Sequence, residues 1–117
     1  MHVRSLALAV LTASLFAPLS AESIDGYLVD KQCSAKIIEG GAAAGKAHTK
    51  ECLLSDACKA SGYGVVTEDG KFIKFDPNGD KLVQNLMDVL RDKEDLKVNV
   101  QGPLSGDRIV VKALQKI

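Results

Sequence analysis

The chain has 117 residues, with 15 basic side chains against 15 acidic ones and no tryptophan. That length holds one small domain with a modest core. The balanced charge and the shortage of aromatics exclude a general nucleic-acid binder, which needs a basic footprint and exposed stacking rings.

Residues 1–21 read as a secretory signal peptide. Arg4 supplies the positive start, and Leu6 to Ala17 is an apolar run broken only by Thr12 and Ser14. This run is too short to cross a bilayer comfortably. Pro18 ends it, and Leu19-Ser20-Ala21 offers a small residue for cleavage after Ala21. The expected product is a single domain, 22–117, periplasmic or extracellular, with no stable membrane anchor after processing.

Ser23 to Asp30 has the composition of a first strand, with Gly26 marking a bulge or a close backbone approach. From Lys31 to Gly62 the strand signal is absent, which defines an insertion lobe, 31–62. Glu39 to Gly45 is rich in glycine and alanine and reads as a flexible loop crest. Lys46 to Leu54 reads as helical. Ser55 can cap a second short helical turn, and Gly62 can stop it.

Gly64 to Thr67 and Lys71 to Phe75 flank Glu68-Asp69-Gly70, a hairpin signal. Phe72 and Phe75 fall out of alternation, which suggests a local bulge. After the turn at Asp76-Pro77-Asn78-Gly79, a helix is expected over Asp80–Arg91, capped by Asp80. Leu82, Leu86, Val89 and Leu90 form its apolar face. Leu96 to Gln101 alternates as a strand, and Arg108 to Leu114 forms the last one.

The resulting order is strand, insertion, strand, strand, helix, strand, strand. That order predicts a mostly β fold with one helix: a small five-stranded barrel like the oligonucleotide/oligosaccharide-binding (OB) fold, with a Cys/His-rich insertion between strands 1 and 2. A short β-sandwich covered by one helix is the alternative.

Several segments carry a resemblance: Gly26-Tyr-Leu-Val-Asp-Lys-Gln-Cys33, His48-Thr-Lys-Glu-Cys52, Cys58, Ser61-Gly-Tyr-Gly-Val-Val, Gly70-Lys-Phe-Ile-Lys-Phe75, Val98-Asn-Val-Gln-Gly102 and Ile109-Val-Val. Together they resemble a group of small secreted, largely uncharacterised bacterial proteins with a Cys…His…Cys…Cys insertion. The resemblance implies the barrel and the insertion, and it brings no settled activity. Many members space the last two cysteines more tightly than the five residues separating Cys52 from Cys58 here.

The chemistry concentrates in that insertion. Cys33, Cys52 and Cys58 are the only three cysteines, and His48 is the only histidine outside the leader. As a set, Cys33, His48, Cys52 and Cys58 can hold zinc, or copper in its thiophilic cuprous form. His48 and Cys52, four apart, would share one face of a helix, whereas Cys58 needs a break near Ser55-Asp56 to join them. The competing reading is a disulfide between two of the three cysteines, stapling the insertion to the body, with the pairing open. A further alternative is a thiol-redox protein that uses Cys52 or Cys58, activated by His48 or by Lys46, Lys50 and Lys59.

Asp25, Asp30, Glu68 and Asp69 read as solvated carboxylates at strand ends. No nucleotide-binding loop, zinc-protease motif or nucleophile elbow is present. The expectation is an exported binding or scaffold domain, without catalytic residues, whose partner is a small ligand, a metal or a protein.

Overall fold

The structure is a computed structural model that describes residues 21–117; the expected apolar leader with Pro18 lies outside the described residues. In chain order the elements are β1 (Ala21–Asp30), α1 (Lys31–Ala47), α2 (Lys50–Leu53), α3 (Asp56–Ser61), β2 (Tyr63–Thr67), β3 (Phe72–Phe75), α4 (Pro77–Val89), β4 (Lys97–Ser105), β5 (Arg108–Ile109) and β6 (Ala113–Lys116). β1 pairs antiparallel with both β2 and β4, β2 with β3, and β4 with β5. The parallel pairing of β3 with β5 closes the ring. This is a small OB-like barrel with one helix between the third and fourth strands and an insertion between the first and second.

The fifth strand is interrupted. Arg108 to Leu114 is expected as one strand, but it divides into β5 against the β3 edge and β6 against β4. Val110 donates to Pro103 O at 3.0 Å and Lys112 to Gln101 O at 2.8 Å, so the chain stays paired across the break. Gly102 explains the irregularity, since a Cβ there would lie 1.9 Å from the Val110 carbonyl oxygen. Only glycine permits that approach. β4 itself runs on to Ser105, beyond the expected end at Gln101.

The barrel interior follows the strand alternation. Leu28, Val65, Ile73, Phe75, Val98, Val100 and Ile109 point inward and pack with Leu96 and Val111. Phe72 and Phe75 need no bulge to reconcile them. They lie on opposite faces of a regular strand, Phe75 in the barrel and Phe72 on a separate outer cluster of Val29, Ile37, Val66 and Tyr27.

α4 starts earlier than expected. Asp76, not Asp80, is its N-cap and accepts from Gly79 N at 3.0 Å, with Pro77 at the first turn. This is the favoured place for both residue types. Asp80 instead accepts from Tyr63 N at 3.1 Å. The buried stripe is Val83 and Met87, with Leu82, Leu86 and Leu90 partly buried against it. Val89, expected in that face, is 77 % exposed.

The insertion is helical where a flexible crest is expected. Glu39 to Gly45 belongs to α1, which turns sharply at Gly41 (φ 65°, ψ −151°). The alanines favour helix, and the glycine takes the left-handed conformation that the turn requires. The expected helix Lys46–Leu54 is broken at His48 and Thr49, between α1 and α2. Ser55 holds the N-cap position of α3 without a side-chain cap bond, and Gly62 ends that helix with φ 82°. Lys31 N donates to Gly62 O at 2.9 Å, so the lobe leaves and rejoins the barrel at one point.

Candidate metal centre

The junction of lobe and barrel holds the chemistry. β1 ends at Asp30, which is fully buried and serves as the N-cap of α1. Its Oδ2 accepts from Cys33 N at 2.9 Å. α1 folds back at Gly41 and ends at His48, and the His48 ring returns to the same carboxylate, with Nε2 3.1 Å from Oδ1. One side chain thus ties both ends of the helix.

α3 delivers the third component. A carboxylate oxygen of Asp30 and the sulfurs of Cys33 and Cys58 all lie within 4.8 Å of one another. Cys58 and Asp30 are buried, and Cys33 is half-buried. The three cysteines are all unbonded, and Cys52 is exposed on α2, away from this group. The sequence set of Cys33, His48, Cys52 and Cys58 is therefore only partly assembled. Cys33 and Cys58 converge, His48 stands behind the carboxylate, and Cys52 points to solvent. Once the helix broke at His48 and Thr49, the four-residue spacing no longer brought His48 and Cys52 together.

Asp30 is the residue the sequence reading missed, assigned there to solvated strand ends. A signal was available. An Asp directly before a helix and three residues ahead of a cysteine is a capping position, and capping turns the side chain inward over that cysteine's N–H.

The electrostatics of the group oppose a free thiolate at Cys33. Burial by itself would raise the Asp30 carboxyl. The Cys33 N–H, the Cys58 thiol, its own N–H and the His48 charge outweigh burial and hold Asp30 below the ordinary carboxylate range. The consequence falls on Cys33. Burial first, then the Asp30 charge and the neighbouring Cys58, push its thiol up to about 11. A buried anion beside two sulfurs is the arrangement that a cation relieves.

His48 Nδ1 is buried and has no hydrogen-bond partner among the described residues. Lys50, a candidate activator of a thiol, is engaged elsewhere. Its Nζ donates to Leu90 O at 3.1 Å, at the C-terminal end of α4.

Tetrahedral zinc with two thiolates and a carboxylate sets sulfurs about 3.8 Å apart. The three atoms here reach that spacing by contracting on the order of 1 Å. No helix among the described residues is long and apolar enough to cross a membrane. No family model, curated protein or solved structure matches the chain.

Proposed function

We propose that this chain is an exported binding domain whose Asp30, Cys33 and Cys58 hold one thiophilic divalent cation of the zinc class. The observation that carries this reading is the convergence of one carboxylate oxygen and two sulfurs within 4.8 Å at a buried junction. The oxygen favours zinc over cuprous copper, which prefers an all-sulfur set. His48 orients the carboxylate through Oδ1, the role an outer hydrogen-bond partner plays around a metal ligand. Two thiolates and a carboxylate over-neutralise a divalent ion by one charge, and the hydrogen bond between His48 Nε2 and Asp30 Oδ1 at 3.1 Å disperses part of it. The ion would also close the lobe onto the barrel and contribute to folding.

A second reading rests on the same proximity: in an oxidising compartment, Cys33 and Cys58 join as a disulfide that staples the lobe.

Cobalt(II) titration of the reduced, metal-free protein tests the proposal. The expected result is one ion per chain with sulfur-to-cobalt charge-transfer absorption. That absorption should be lost in Cys33→Ser and Cys58→Ser and retained in Cys52→Ser. Since Cys33 must surrender its proton to bind, affinity should rise as pH increases from 6 to 9. Absorption that disappears only with Cys52→Ser would overturn the ligand assignment.

A further inference from the structure

A second feature of the lobe lies outside the cluster. α1, bent at Gly41, stands over the outer surface of β1 and β2 and leaves a groove of about 500 Å³. That volume is within the range of small-molecule sites. Tyr27, Ile37, Ile38 and Val66 supply apolar surface, and Lys46 and Lys97 supply two ammonium groups. Neither lysine forms a salt bridge among the described residues.

The groove is built by local sequence. Gly45 lets α1 lie against the Tyr27 ring, since a Cβ there would come within 2.5 Å of it. The kink at Gly41 then separates the two arms of the helix, so Ile37 is buried while Ile38 remains 40 % exposed on the wall. Lys97 is held opposite Tyr27 by the β1–β4 register. A large apolar side chain left open beside two unpaired cations is poorly matched to water alone. Glu68 also lines the groove, so its net charge is a single positive one.

We infer that this groove is a binding site for a small amphipathic monoanion: an apolar body of aliphatic or aromatic carbon carrying one carboxylate or sulfonate. The apolar body lies on Tyr27, Ile38 and Val66, and the anionic head is held by Lys46 and Lys97. Glu68 selects against a second negative charge. None of Asp30, Cys33 and Cys58 lines the groove, so the ligand assignment at the cluster can fail without this one.

The probe is anilinonaphthalene sulfonate, with uncharged N-phenylnaphthylamine as its partner, titrated by fluorescence into the full exported chain. The sulfonate should bind saturably at one site per chain and be displaced at markedly lower concentration by dodecanoate than by dodecanol. Lys46→Ala and Lys97→Ala should each weaken the sulfonate roughly ten- to a hundredfold, the range of one charge-assisted hydrogen bond, and leave the neutral probe unchanged. Ile38→Glu should abolish binding of both probes. Circular dichroism is expected to be identical for all three variants, because the substituted side chains are exposed or at the groove rim. Absent or unsaturable binding of the sulfonate would overturn the inference, as would lysine variants that bind it like wild type.

Discussion

Asp30→Ala should both loosen the lobe and weaken metal uptake, whereas Asp30→Asn should weaken uptake with little effect on the lobe. The alanine removes the cap of α1 and leaves the buried His48 without its acceptor. Loss of a cap costs about 1 kcal/mol, and an orphaned buried donor costs about 1–3 kcal/mol more. Urea unfolding of metal-free protein should therefore show a loss on the order of 2–4 kcal/mol for Asp30→Ala. Asparagine is as good a cap as aspartate and can still accept from the His48 ring, so its cost should stay near ~1 kcal/mol or below. It lacks the negative charge a cation needs, and cobalt affinity should fall on the order of a hundredfold or more. Equal stability of Asp30→Ala and wild type would mean that the carboxylate does not anchor the lobe.

Met87→Ala should be the most damaging single change on α4. Met87 is 1 % exposed and packs into the barrel with Val83. Truncating a buried methionine to alanine costs about 2–5 kcal/mol, through lost transfer energy and the cavity left behind. Val89→Ala, two residues on, should change stability by less than about 0.5 kcal/mol, because that side chain is 77 % exposed. Thermal or urea unfolding of the pair checks the helix register directly. A large loss at Val89 with little at Met87 would mean that the helix turns the Val89 face to the barrel.

The barrel was legible because strands of alternating apolar residues fix which face is buried. Leu96, Val98 and Val100 read as one face in the sequence, and all three are fully buried. The helix between the third and fourth strands was equally plain, although its start was not. Asp76 and Asp80 are both good caps; Pro77 in the first turn was the signal that favoured Asp76, and it was read as part of a turn, while Asp80 holds the Tyr63 N–H.

The insertion was the hard part. Gly40, Gly41 and Gly45 resemble a flexible loop by composition. Yet Gly41 serves as the turn between two helical arms, and Gly45 as a contact with Tyr27. These are tertiary demands that local propensity does not encode. The cluster shows the same division. The approach of Cys33 to one of the other two cysteines followed from the need to staple the insertion to the body. The choice of Cys58 over Cys52 depended on where the helix breaks. The role of Asp30 depended on which way a strand-end side chain turns.

The central claim is that Asp30, Cys33 and Cys58 share one cation. Its most direct test is elemental analysis combined with thiol alkylation and intact mass, on protein expressed from the full sequence and purified without chelator. The account predicts one zinc-class ion per chain, Cys52 alkylated, and Cys33 and Cys58 protected until a chelator removes the ion. Metal-free protein that lacks a pair of hydrogens, with Cys33 and Cys58 released only by a reductant, would contradict it and assign the junction to a disulfide.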